Sequence, residues 1–394
     1  VMEERFDVLS PSFRADPFPR YTAMRRSSPV CQVDPGDMWA VSRWEDVLFV
    51  LKNPGIFSSQ GFKAAWEPPW IGYNPLAHSL VALDPPAHTR LRSLVTRAFG
   101  AGTASRLAPK VERLAEELAS KLVGEIDFVD VFATPLPAFV IGEILGVDPA
   151  LHKHFKRWAD DILSVAFEPR SDEHAAQVRT TIAELSRYLR EVVDARRREP
   201  ADDTVSDLLR AEVDGQSLTE QEIVDFLVVL LLGGLETTTH LLGNTMILLS
   251  EQLALWDRLR QEPALAAPFV DEMLRYDGPS HSIPRITTEE VTLSGVTIPP
   301  GSLVLALLAS ANRDERRYTD PDRFDIDRGS QGGLQFGHGV HFCIGALLAR
   351  MEARVALEVL TRRFRGVELG AGEIRYNQML TVRGPISLSL RFSC

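Results

Sequence analysis

Along most of the chain, apolar residues recur at the three-and-four spacing that keeps them on one face of a helix, whereas strand-like alternation is short and scarce. Helical patterns run over Trp44 to Lys52, Thr89 to Phe99, Ala108 to Leu122, Ala138 to Leu145, Leu151 to Phe167, Glu173 to Arg198 and Val205 to Glu212. Thr219-Glu220-Gln221-Glu222 has the form of a capping box, so a long helix starts there and runs to about Gln261 with one interruption. Pro268 to Tyr276 and Ile344 to Leu360 complete the helices. Strand-like stretches are Met38 to Ser42, Glu290 to Leu293, Thr297 to Ile298, Leu303 to Leu308, Gln378 to Thr381 and Ser387 to Phe392, with Ser294-Gly295 placed to turn a hairpin. Gly, Pro and Trp crowd Gly61 to Pro75, which predicts a loop. The fold class is mainly α with small β-sheets, an α+β protein.

Composition narrows this picture. The chain has 394 residues, 45% hydrophobic and 25% charged, enough for a large core. No linker, low-complexity tract or internal repeat divides it, so residues 1–394 are expected to form one large globular domain. Three cysteines, Cys31, Cys343 and Cys394, make no disulfide framework and fit a reducing cytoplasm. Met2-Glu3-Glu4-Arg5 is polar, unlike a signal peptide, and the longest apolar run, Phe226 to Leu235, falls well short of the roughly 18 residues of a membrane span. A cytoplasmic protein with no membrane span is expected. The net charge of -11 argues against nucleic acid as a partner. Arg97, Arg106, Lys110 and Arg113 form a basic stretch within that acidic whole, either a solvated helix face or a landing place for an acidic electron carrier.

One cysteine changes the question from fold to chemistry. In Phe336-Gly337-His338-Gly339-Val340-His341-Phe342-Cys343-Ile344-Gly345-Ala346, Gly337 and Gly339 permit crowded turns that bring backbone N–H groups together near the sulfur. The helix former that follows puts Cys343 at a positive N-terminus. Both effects stabilise thiolate, which could act as a nucleophile, a zinc ligand or the axial ligand of haem iron. A zinc site built from His338, His341 and Cys343 lacks a remaining ligand at customary spacing.

A second conflict with local propensity lies in the long helix. Leu230-Leu-Leu-Gly233-Gly234-Leu-Glu236-Thr237-Thr-Thr-His240 places an acid and hydroxyls in an apolar helix beside two glycines. Each glycine costs about 1 kcal/mol relative to alanine, and Thr237, four residues after Gly233, competes for its carbonyl. A local kink or widened groove is expected there. A buried carboxylate beside a hydroxyl suits the delivery of protons to dioxygen in a site kept dry.

The cysteine stretch, read as Phe-Gly-x-Gly-x-His-x-Cys-x-Gly-Ala, resembles the haem-binding loop of the cytochrome P-450 superfamily, and Gly233-Gly-Leu-Glu-Thr-Thr resembles the same family's oxygen-activation motif. Glu272-Met-Leu-Arg275 and Pro321-Asp-Arg323-Phe324 match the family's buried ionic cluster. Asp84-Pro-Pro-Ala-His88-Thr-Arg-Leu-Arg92 resembles its propionate-binding helix. Ala15-Asp-Pro-Phe-Pro19 and Ala311-Asn-Arg-Asp314 are typical of bacterial soluble members, so the resemblance covers nearly the whole chain in order.

The resemblance implies a triangular-prism helical domain with haem between the long central helix and the cysteine loop. It implies a soluble, monomeric haem-thiolate monooxygenase that uses haem b (iron protoporphyrin IX), with dioxygen as co-substrate. Cys343 is the metal ligand, in a loop whose Phe336, Gly337, His341 and Gly345 hold the cofactor. His88, Arg92, Arg285 and His341 contact the propionates, and Glu236 and Thr237 are the catalytic pair. Glu272, Arg275 and Arg323 are structural. Pocket walls fall at Phe62, Trp66 and Trp70, at Val229, Leu232 and Gly233 on the long helix, and at Ser282, Ile283, Met379 and Leu380. These mostly apolar positions imply a hydrophobic substrate, such as a polyketide or macrolide, fatty acid, terpenoid or steroid, free or held on a carrier protein. Electrons come from NAD(P)H through an external ferredoxin reductase and ferredoxin. The rivals are a hydrogen-peroxide-using peroxygenase, which needs no proton relay, and a non-catalytic haem ligand-binding or sensor protein.

Overall fold

The capping box closes as its residues dictate. Thr219 Oγ1 accepts from the Glu222 amide at 3.2 Å, and Glu222 Oε2 accepts from the Thr219 amide at 2.8 Å. The helix it starts, Glu220–Glu251, runs 32 residues without interruption, then breaks at Gln252 before Leu253–Gln261. It is long and apolar enough to cross a membrane, but 78% of its apolar window is buried inside the protein, so it serves as a core helix.

This computed structural model describes residues 5–99, 101–147, 151–165, 171–329 and 332–393. Cys394, Met2 to Glu4 and the end of the helix predicted to reach Phe167 lie outside the described residues. The chain forms two compact units, one made of the segments through Ser58, Ala108–Ala133 and Thr237 onward, the other of Ser59–Leu107 and Thr134–Glu236.

The first unit holds a six-stranded sheet in the order Phe6–Asp7, Val30–Asp34, Met38–Val41, Leu303–Ala306, Ile283–Thr287, Phe57–Ser58. Leu303–Ala306 runs parallel to Met38–Val41 and antiparallel to Ile283–Thr287, in a register that pairs Val304 with Arg285. Val47, Val50 and Leu51 of the helix Trp44–Lys52 pack with Val304, Ala306 and Leu334, so the start of the cysteine loop is anchored in this core. A hairpin of Val291–Leu293 and Val296–Ile298 turns at Ser294-Gly295, both at positive φ. The second unit is built from helices Ala87–Ala98, Pro135–Leu145, His152–Leu163, Asp172–Arg198 and Thr204–Arg210, with the first half of the long helix.

Several boundaries differ from the sequence pattern. Within the expected loop 61–75, Gly61–Trp66 is helical, because Phe62 and Trp66 sit one turn apart and their rings meet at 4.7 Å. The strand expected from Leu303 stops at Ala306 and gives way to the short helix Leu308–Ala311. Residues 378–381 form no strand, since their neighbours bond to side chains and to residues 279–282 instead of a ladder. The helix expected from Ala108 begins at Ala101.

A buried ionic cluster ties the helix Ala266–Asp277 to the irregular segment before the cysteine loop. Arg275 grips Glu272 with two bonds of 2.8 Å, both residues almost wholly buried. The arginine that completes the cluster is Arg328, whose Nε lies 3.0 Å from Glu272 Oε1, and not Arg323. Arg323 points outward to Asp325, and only its carbonyl joins the cluster, accepting from Arg275 and Arg328. Arg275 also donates to the carbonyls of Asn312 and Pro321, and Asn312 Oδ1 accepts from the Leu334 amide, which explains part of the Ala311–Asp314 stretch. Removing one partner strands a buried charge, so Arg328→Met should cost about 3–5 kcal/mol, measured by chemical denaturation. Arg323→Met at an exposed site should change stability by no more than about 0.5 kcal/mol; the reverse ranking would restore Arg323.

Candidate functional site

The cysteine loop is shaped by two glycines at φ +70°, Gly337 and Gly339. A side chain at Gly339 would press on the Leu51 carbonyl, so the tight approach there requires glycine. The Gly337 amide donates to Leu334 O at 2.8 Å and the Cys343 amide to Phe336 O at 3.0 Å, which closes the loop on itself. Phe336 and Phe342 meet edge to face at 6.3 Å, and the Arg350 guanidinium, paired with Asp271, lies over the Phe336 ring. The helix begins at Ala346, two residues later than the sequence pattern, and runs to Arg363. Cys343 therefore precedes an 18-residue helix by three positions, on the side of its positive N-terminal end.

The Cys343 side chain is exposed, and around it stand exposed apolar residues, Val340 at 38%, Phe342 at 42% and Leu347 at 56%. Among the described residues no group of three or more His, Cys, Asp or Glu is gathered to hold a metal ion. A metal bound at Cys343 must therefore bring most of its own ligands, and the apolar surroundings suit a broad, flat organic carrier. That donor set fits haem and not a zinc site of His338, His341 and Cys343.

The long helix stays helical through Gly233 and Gly234, so the expected kink does not interrupt it. Gly233 leaves open space beside the helix and does not alter its course. Val229, Gly233 and Thr237, four residues apart, form the more accessible line of a helix otherwise mostly buried, and a Cβ at Gly233 would meet no atom within 4 Å. Beside that line Glu236 is buried at 7% exposure and takes the Lys156 ammonium at 3.4 Å. Lys156, from the helix His152–Leu163, also bonds Asp160 one turn on. Burial pulls the Lys156 ammonium down, but the Glu236 and Asp160 carboxylates outweigh it and hold it above its ordinary value. Burial raises the Asp160 carboxyl, with the Glu236 charge adding to the effect against Lys156.

Other predicted residues fall into two sets. In the second unit, His88 is buried at 1% and Arg92 half-buried one turn later on Ala87–Ala98, and Asp84 braces the entry by accepting from the Ser59 amide at 2.8 Å. Phe62 and Trp66 pair there, with Trp70 close by in sequence and half-buried, and Leu232 is buried. In the first unit, Arg285 is buried at 4% on its strand and His341 is half-buried in the cysteine loop. Two predicted walls a hundred residues apart are joined in that unit. His281 and Ser282 amides donate to Thr381 O, and Ser282 Oγ donates to Leu380 O at 2.9 Å. The basic stretch is partly spent: Arg106 pairs with Asp202, and Arg97 donates to the Glu212 carbonyl.

Sequence reasoning missed Lys156, Arg328 and Glu352. For Lys156 the only signal was its i,i+4 spacing to Asp160, which says nothing of Glu236. For Glu352, a carboxylate among Ala, Met and Val on the Ala346–Arg363 helix was the available warning.

The family model described as Cytochrome P450 matches residues 148–390. The chain is 40% identical to Cytochrome P450 109 of Bacillus spizizenii, over 90% of this chain and 86% of that one. It is 38% identical to mycinamicin IV hydroxylase/epoxidase of Micromonospora griseorubida, over 94% of each. The solved structure of Cytochrome P450 CYP109Q5 from Chondromyces apiculatus superposes with a TM-score of 0.91 at 39% identity, covering 99% of this chain and 98% of that one.

Glu352 gives the site a pH signature. It is 2% exposed, its Oε2 has no hydrogen-bond partner, and burial pushes its carboxyl from 4.5 up to about 8. A group whose folded pKa is raised contributes stability fully below its unfolded value and loses it as pH rises through the folded value. The wild type should lose up to about 1.4 kcal/mol per pH unit from this group between roughly pH 4.5 and pH 8. Glu352→Gln should remove that slope, so the variant gains on the wild type as pH rises. Parallel thermal midpoints from pH 5 to 9 would show that Glu352 is charged in the native state.

Proposed function

The chain belongs to the cytochrome P450 family, and on that premise we propose that this haem-thiolate monooxygenase hydroxylates or epoxidises a hydrophobic natural product of the macrolide or polyketide kind. The observation that carries the site assignment is Cys343, an exposed thiol just before a helix N-terminus, in a glycine-turned loop rimmed by the exposed apolar residues Val340, Phe342 and Leu347. The substrate class is supported by the relative named mycinamicin IV hydroxylase/epoxidase and by the apolar positions at Phe62, Trp66, Leu232, Ile283, Met379 and Leu380.

Cys343 would ligate the iron, with Phe336, Gly337 and Gly345 shaping its loop; His88, Arg92, Arg285 and His341 would take the propionates, as cationic or hydrogen-bonding donors for carboxylates. When bound, the haem supplies dioxygen activation and the transfer of one oxygen atom to substrate. The protein's own part is to hold substrate in a dry pocket and to govern protons. Glu236 pairs with Lys156, and Asp160, half exposed, shares the same ammonium. A swing of Lys156 toward Asp160 frees the Glu236 carboxylate to take a proton from the solvent side, and the Thr237 hydroxyl passes a proton on within the open space beside Gly233. Ferredoxin and its reductase, fed by NAD(P)H, are the proposed electron source. A single catalytic domain and a monomer belong to the same proposal.

Two experiments test it. Cys343→Ala should abolish the thiolate-type carbon monoxide difference spectrum of the reduced protein, and an unaltered spectrum would remove Cys343 as ligand. Thr237→Ala should keep that spectrum yet divert reducing equivalents from product to peroxide or water when dioxygen is supplied with a surrogate ferredoxin and reductase. Unchanged coupling would take Thr237 out of the relay, and turnover with hydrogen peroxide alone would favour the peroxygenase.

A further inference from the structure

Ala15-Asp-Pro-Phe-Pro19 takes no part in the chemistry above, yet the arginine just before it is buried at 3%. Arg14 reaches across the first unit to the loop 377–383, the tip of the hairpin between Arg375–Tyr376 and Pro385–Ser387. Its Nη2 donates to Asn377 Oδ1 at 2.8 Å and to Val382 O at 2.6 Å, and its Nε to Asn377 O at 3.3 Å. No carboxylate lies within ion-pairing distance of it among the described residues; burial pulls its guanidinium down to about 10, so it stays charged at neutral pH.

The grip is returned. Arg383, at the other end of the loop, donates through Nε to Arg14 O at 2.8 Å and through Nη2 to Ala15 O at 2.7 Å, while Nη1 reaches Asp277 at 3.2 Å. Asn377 also bonds His240 at 2.8 Å, one turn past Thr237 on the long helix, and any side chain at Gly384 would collide with His240. The loop has no ladder of its own between Asn377 and Val382; its shape is set by these side chains and by its bonds to residues 279–282.

We propose that the reciprocal clamp of Arg14 and Arg383 sets which substrates fit, by fixing the loop that carries Met379 and Leu380 together with the wall that carries Ser282 and Ile283. This rests on the pocket role given to those four residues above. Arg14 and Asn377 are then positioning residues: they touch no substrate, and they act by holding both ends of a loop whose half-buried side chains do. The planar fork matters because it donates to three acceptors from two separated nitrogens in fixed directions, whereas a lysine donates from one freely rotating point. Loss of the fork lets the loop and the Ser282 wall shift as a pair, because the Thr381 and Leu380 carbonyls bind them to each other.

The test uses the ferric holoenzyme titrated with two ligands. Imidazole needs only the iron, whereas 4-phenylimidazole must also seat its ring against the pocket wall. Arg14→Gln should change the Kd for 4-phenylimidazole tenfold or more while that for imidazole stays within about twofold, with the thiolate carbon monoxide spectrum intact. Arg14→Lys should behave like Arg14→Gln, and Asn377→Ala should show a smaller change in the same direction. Parallel shifts of both ligands, no shift, or a wild-type ratio in Arg14→Lys would overturn the proposal and leave the clamp a matter of stability alone. Should Arg14→Gln fail to fold, Asn377→Ala decides. Met379→Ala is the control that separates the two levels: an unchanged ligand ratio there would sink the pocket assignment, and the clamp's role with it.

Discussion

One carboxylate held between two guanidinium groups is the constraint on which the cysteine side of the protein depends. Glu272 is taken out of water, and its charge is tolerable only because Arg275, Arg328 and the Asp325 amide occupy its lone pairs. The arginines then have donors left over, and these go to the carbonyls of Asn312, Thr319, Asp320, Pro321 and Arg323. A long irregular stretch with no ladder of its own thereby has its buried backbone acceptors satisfied. Leu334, at the end of that stretch, enters the core just before the glycine turns that present Cys343. The cysteine loop thus starts from a segment held by an ion cluster that lies before it in the chain.

The molecule uses buried charge in two ways. Around Glu272 every partner is fixed, and the arrangement has one low-energy form. Around Glu236 there are two carboxylates for one lysine, and Asp160 stands nearer to water. One lysine shared by two carboxylates is less tightly fixed than an arginine fork, because its ammonium gives up little directional bonding when it moves.

Much of this was legible in the sequence, and what was hidden has a common cause. Elements defined by local rules came through: the capping box at Thr219, the hairpin at Ser294-Gly295, the helix Trp44–Lys52, the Glu272–Arg275 pair at i and i+3. Cys343 was visible because glycine turns and a helix start are both written locally. Arg323 was mistaken for Arg328 because an irregular segment has no period to say which arginine turns inward. Lys156 and Glu236 lie eighty residues apart, and no pattern on either helix names the other. Residues 378–381 have strand-like composition, but their partners are side chains from the far end of the chain and residues 279–282. Gly61–Trp66 became helical through a ring pair that its glycine-rich and proline-rich surroundings concealed.

The clamp between Arg14 and Arg383 also bears on the order in which the protein can be made. Its bonds join residues 363 to 369 positions apart. A ribosome adding about 5–20 residues per second needs roughly 20 to 70 s to deliver the second half of the clamp after the first. Throughout that interval Arg14 must remain hydrated, because its acceptors do not yet exist, so the segment carrying it cannot settle into its buried place. Docking of the Arg14 segment therefore waits for residues 377–383, and a transcript cut short before Asn377 would leave that segment undocked.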